Sequence, residues 1–157
     1  MNPQKTYSIY EAQKVLENYC AYQERCHKDV TNKLKSMRMI PEAIDNIVVH
    51  LITNNYLNEE RFTKAFVRGK FRIKKWGKNR IIKELKFRQI SDYTIKSGLK
   101  EIDLDDYFNT LHELTEKRIS QVKEKNSYKK RKKVADYLLY RGWESNLVYE
   151  KINELIK

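Results

Sequence analysis

The sequence predicts an all-α protein, and three observations carry that prediction. Four glycines and two prolines in 157 residues leave too little turn chemistry for a many-stranded sheet. Apolar residues, 40% of the chain, recur at steps of three and four between lysines and glutamates, the period of an amphipathic helix. The chain also resembles itself. "VTNKLKSMRMIPEAIDNIVVHL" (30 to 51), "IIKELKFRQISDYTIKSGLKEI" (81 to 102) and "VADYLLYRGWESNLVYEKINEL" (134 to 155) align without a gap. Their shared apolar columns are Val30/Ile81/Val134, Leu34/Leu85/Leu138, Met39/Ile90/Trp143, Ile44/Ile95/Val148, Val48/Leu99/Ile152 and Leu51/Ile102/Leu155.

Each block reads as a helical hairpin. The first two columns lie four residues apart on one face, a short connector follows, and later steps of four and three mark a second helix. An amphipathic stretch precedes each hairpin, at about 8 to 24, 59 to 74 and 104 to 124, giving three helices per unit. The units are 1 to 56, 57 to 102 and 103 to 157. About fifty residues can bury a small three-helix core, and three units in tandem make an elongated array.

In order along the chain, Pro41 belongs in the first turn of a helix, where its missing donor is tolerated. Asn58 caps the next stretch, with Glu59 and Glu60 complementing the helix dipole. There Phe62, Phe66 and Ile73 share an inward arc, while Arg61, Arg68 and Arg72 share a separate arc about 40° wide. Trp76 and Gly77 mark a corner. Beyond it Ile81, Ile82 and Leu85 point inward, leaving Arg80, Lys83 and Phe87 outward. Ser91 and Ser145 open later helices, and Gly142 is placed to end one in the left-handed conformation. "EKNS" (124 to 127) is the least apolar break.

The net charge of +12 is unevenly spread. Residues 1 to 56 hold 7 basic and 6 acidic side chains, 57 to 102 hold 14 and 5, and 103 to 157 hold 12 and 10. The middle unit thus carries +9, and a second concentration lies at Lys129, Lys130, Arg131, Lys132 and Lys133. Such a field suits a polyanion or an acidic protein groove. The run at 129 to 133 opposes its own helix dipole, so it gains little for folding; a solvated face is the alternative reading.

Other chemistry is poorly represented. Cys20 and Cys26 form no CxxC pair, which favours buried thiols over a redox or metal site. His27, His50 and His112 adjoin no nucleophile. Glu59, Glu60, Asp103, Asp105 and Asp106 fall at helix starts, where acids have an ordinary capping role. No catalytic residue, metal or cofactor is expected. No window approaches a membrane span, and no export signal opens the chain, so a cytoplasmic location is expected. The expected state is a monomer.

The middle stretch "YLNEERFTKAFVRGKFRIKKWGKNRIIKELKFRQIS" resembles the central signature of the RecX family, regulators of the RecA recombinase. Leu57, Asn58, Glu60, Arg61 and Phe62 carry the likeness at its start, then Arg68 and Lys70, then Gly77, Arg80, Ile81, Glu84 and Leu85. "QERCHKDVTNKLKSM" and "KVADYLLYRGW" resemble the flanking repeats. The pattern is broken at Cys26, in place of a capping hydroxyl, at Thr63, in place of a small alanine, and at Arg38 and Gln89, in place of a helix-ending glycine.

The resemblance implies three tandem three-helix repeats in an elongated, curved array that lies along the groove of the RecA nucleoprotein filament. It implies modulation, most often inhibition, of strand exchange and ATP hydrolysis by preferential binding to one filament state. The candidate contacts are Arg61, Arg68, Lys70, Arg72, Lys74, Lys75, Lys78, Arg80, Lys83 and the run from Lys129 to Lys133. A free-standing protein binding single- or double-stranded DNA is the alternative.

Overall fold

A computed structural model describes residues 5–157. Among them are nine α-helices and no strand: α1 Ile9–Tyr22, α2 His27–Ser36, α3 Pro41–Thr53, α4 Glu59–Arg72, α5 Lys78–Phe87, α6 Asp92–Leu99, α7 Leu104–Gln121, α8 Ser127–Tyr140 and α9 Ser145–Leu155. They pack in threes along the chain, α1–α3, α4–α6 and α7–α9.

Local chemistry sets the helix ends. Asn58 Oδ1 accepts from the Arg61 N–H at 2.9 Å, Asp103 Oδ2 from Asp106 at 3.1 Å and Asn126 Oδ1 from Lys129 at 3.0 Å, so the first helix of the second and third units and α8 each satisfy one orphan donor. Ser8 and Glu11 form a reciprocal capping box at the start of α1. Pro41 is the first residue of α3 and Ser91 caps α6, whereas Ser145 lies one residue inside α9, whose cap is Glu144.

The second helix of every unit ends in one left-handed residue at the same repeat position: Arg38 at φ +61°, Gln89 at +61° and Gly142 at +95°. Only the third has the glycine that this conformation favours. The corner after α4 differs from expectation. Lys75 takes the left-handed turn, at φ +60°, while Gly77 is extended at φ −78° and caps α5.

Gly77 is required by proximity. A Cβ there would lie 2.5 Å from the Gly142 backbone and from Trp143 Cα. The two segments interlock: Gly77 N–H donates to the Arg141 carbonyl and Asn79 N–H to that of Gly142, both at 2.9 Å. Trp143 Nε1 donates to the Lys75 carbonyl at 3.2 Å, and Arg141 Nη2 to that of Lys74 at 2.5 Å.

This junction changes the expected core arrangement. Ala12, Leu16, Val30, Leu34, Ile47 and Leu51 build a separate first-unit core. The second and third units share one continuous core, in which Phe71, Ile81, Leu85, Tyr107, Leu138 and Trp143 are all buried. Two cores therefore serve three units. Cys26, which caps α2 in the position Gly77 holds at α5, belongs to the shared core.

Most repeat columns are buried, but the third block departs from the aligned register. Ile156 is buried and Leu155 only partly so, because α9 keeps steps of four through Val148 and Ile152. The inward arc of α4 is also displaced. Ile73 is 78% exposed, since the helix buries Phe62, Thr63, Val67 and Phe71. That face is centred nearer Val67, and Ile73 caps the helix beyond it.

Candidate interaction surface

The α4–α5 corner gathers cations around one indole. Trp76 is half-buried against the shared core. The Arg80 guanidinium lies 4.1 Å from its ring centroid and Lys70 Nζ 4.9 Å. Arg80 also lies 5.0 Å from the ring of Tyr140, the last residue of α8. Each such contact contributes about 0.5–1 kcal/mol at an exposed site. Their greater effect is to hold a charged head in a fixed place. Arg80, Lys83 and Tyr140 border an open recess of ≈410 Å³ between α5 and the end of α8.

Around this corner Arg72, Lys74, Lys75 and Lys83 are exposed and make no ion pair among the described residues. Lys78 is partly buried; its N–H donates to the Tyr107 hydroxyl at 2.9 Å and its ammonium lies 4.8 Å from that ring. Tyr107 in turn donates to the Glu144 carboxylate. Burial, reinforced by Glu144, pushes the phenol far above its ordinary pKa, so it remains protonated. This relay fixes the start of α5 against α7 and α9.

The predicted arginine stripe divides by role. Arg61 Nε meets Glu24 at 2.6 Å, and its remaining N–H groups reach Asn55 Oδ1 and the carbonyls of Asn55 and Tyr56. It ties the first unit to the second. Arg68 pairs with Glu101 at 3.5 Å. Arg72 alone of the three remains without an acidic partner among the described residues.

The run at 129 to 133 is similarly mixed, because consecutive residues point around the helix. Lys132 pairs with Asp136 at 2.8 Å and Lys133 with Glu124 at 3.1 Å. Arg131 Nη1 donates to Asn153 at 2.6 Å and Nη2 to the Ile156 carbonyl, docking α8 on the end of α9. Lys129 and Lys130 have no ion pair among the described residues.

Sequence reasoning missed Lys28, Arg25, Arg88 and Tyr140. Lys28 Nζ donates to the Phe87 carbonyl at 3.0 Å and lies 3.8 Å from the Phe87 ring. Periodicity gives no signal for a contact across 59 residues. Cys20 and Cys26 are free and buried. Desolvation pushes the Cys26 thiol up to about 11 and raises that of Cys20, so both are protonated at neutral pH. Among the described residues, no group of three or more His, Cys, Asp or Glu could hold a metal ion, and no helix is long and apolar enough to cross a membrane.

Comparison with known proteins accounts for this construction. The family model for the second three-helix domain of RecX matches residues 58–99, and that for the third matches residues 105–152. This chain belongs to the RecX family. It is 26% identical to regulatory protein RecX of Clostridioides difficile over 139 residues, covering 88% of this chain and 65% of the relative. It is 27% identical to the Enterococcus faecalis protein over 131 residues, covering 83% and 49%. For Finegoldia magna RecX the identity is 29% over 139 residues, covering 85% and 66%.

The chain thus spans about half to two thirds of the length of these curated relatives. The RecX crystal structure from Lactobacillus salivarius has the same fold, with TM-score 0.81, 24% identity and coverage of 94% of this chain and 96% of that one. A second crystal structure of regulatory protein RecX gives 0.80, 21%, 92% and 74%. RecX is a family of regulatory proteins rather than of enzymes.

Proposed function

We propose that this RecX-family protein binds the RecA nucleoprotein filament and inhibits its recombinase and ATPase activities. The observation that supports this most is the position of the RecX signature. It lies on the +9 second unit, whose corner offers Arg72, Lys74, Lys75, Arg80 and Lys83 from a body braced by the third unit. A braced array loses little entropy on docking, and complementary charge steers it to an anionic groove. Preference for one filament state shifts the equilibrium between states without covalent chemistry.

RecA-dependent ATP hydrolysis on single-stranded DNA tests the proposal. A fall in rate with added protein, at saturating DNA, supports it; an unchanged rate contradicts it. The second reading, a free-standing DNA binder, is favoured by the aromatic and cationic grouping of Trp76, Arg80 and Tyr140, which suits base stacking. That reading requires strongly salt-dependent binding to naked DNA, and an effect on RecA that excess DNA abolishes.

A further inference from the structure

The seam between the first two units holds a cleft of ≈400 Å³ that the corner does not share, except for Lys70 at its edge. Phe62 and Phe66 of α4 give it an apolar wall. Arg88 and Lys70 lie 5.0 and 5.4 Å from the Phe66 ring centroid. Across the seam, Arg25 stacks on Tyr19 at 3.7 Å and donates its Nε to the Tyr19 carbonyl at 3.0 Å. Its terminal nitrogens make no hydrogen bond among the described residues. Three cations from two units thus border one recess with a single aromatic wall.

The acids in the cleft are already engaged. Asp29 Oδ2 accepts from the Cys26 N–H at 3.3 Å, and Glu24 Oε1 accepts from Arg61. Glu24 Oε2, however, is buried without a hydrogen-bond partner among the described residues. That oxygen is closed off from solvent, so the cleft offers an occupant its cations and its aromatic wall. Arg88 Nη1 is held by Glu84 at 3.3 Å, while its Nη2 has no hydrogen bond among the described residues. An occupant that fits must bring carboxylates for Arg25, Lys70 and that Nη2, and an apolar stem for the phenylalanines. An acidic polypeptide supplies both. A phosphodiester backbone has no apolar stem, and a continuous run of phosphates would pass Glu24 and Asp29.

We propose that this cleft receives an acidic peptide segment of a protein partner. The inference rests on the reading that the chain docks on a protein filament, and it specifies that part of the docking is with protein rather than with the strand.

The test is fluorescence anisotropy of the full chain with two probes: a fluorescein-labelled peptide alternating Glu with Leu, and a labelled oligo-dT. The Glu peptide should bind at least about tenfold tighter than its Gln counterpart. Arg25→Gln combined with Arg88→Gln should weaken the Glu peptide by a similar factor while leaving oligo-dT within about twofold. Lys117→Glu, on the exposed face of α7, should leave the peptide unaffected. Equal binding of the Glu and Gln peptides would overturn the proposal without recourse to any variant. So would a parallel loss of oligo-dT binding, which would make the cleft a phosphate site. If the wild-type protein inhibits RecA while the peptides do not discriminate, the cleft assignment fails and the filament reading stands; the converse result separates them the other way.

Discussion

Residue by residue, two departures from the family pattern have structural consequences. Thr63 is fully buried, and its hydroxyl donates to the Glu59 carbonyl at 2.7 Å. Its Cγ2 lies 2.6 Å from where a Cβ on Gly98 would be, so Gly98 allows α6 to approach α4. Gly98→Ala alone should destabilise by about 1–3 kcal/mol through overpacking. With Thr63→Ala the clash is gone, and the helix-favouring alanine should stabilise by about 0.5–1 kcal/mol over that background. Urea denaturation of the double-mutant cycle reads the coupling, and additive effects would contradict the contact. Arg38 and Gln89 carry the other departure, non-glycine residues at positive φ. Gln89→Gly should raise stability by about 0.5–1 kcal/mol, the left-handed strain relieved less the added chain entropy. The same denaturation measurement checks it.

Among the elements, helix existence was legible in the sequence because Asn58, Asp103, Ser91 and Pro41 signal their ends locally, and because Val30, Ile81 and Val134 repeat a helical face. The helices' contacts across units were not. Gly77 reads as an ordinary break, and a cap position normally accepts serine or asparagine. Only the approach of Gly142, 65 positions later, excludes a side chain there. Arg61 reads as part of a binding stripe, but a glutamate 37 residues upstream engages it. The first seam accommodates the Cys26 side chain where the second has space for hydrogen alone. Gly77→Ala should therefore separate α5 from the Arg141–Trp143 turn and cost upwards of about 3 kcal/mol. Tryptophan fluorescence should report solvent reaching Trp143. A variant with wild-type stability and emission would refute the interlock.

For the whole molecule, two cores predict two levels of stability. Amides of α1–α3 should exchange with deuterium as a group distinct from those of α4–α9. The first unit should also loosen first in acid. Hydrogen bonding to His50, with Lys14 assisting, holds the Glu17 carboxyl below its ordinary value of 4.5. A lowered folded pKa contributes stability that is present above the unfolded value and lost as pH falls through the folded one. Exchange protection of α1 and α3 should accordingly drop below about pH 4.5 before that of the shared core. A single cooperative exchange class across α1–α9 would contradict the division.

At the same scale, the charges that remain free after internal pairing set the functional account. Arg72 and Lys83 are exposed and bind no acid within the described residues. The most direct test is binding of wild-type protein and Arg72→Glu/Lys83→Glu to preassembled RecA filaments and, in parallel, to naked single-stranded DNA, with folding verified by circular dichroism. Wild-type protein should bind the filament in preference to naked DNA, and the reversed variant should lose at least about tenfold in filament affinity. Undiminished filament binding by the folded variant would contradict it.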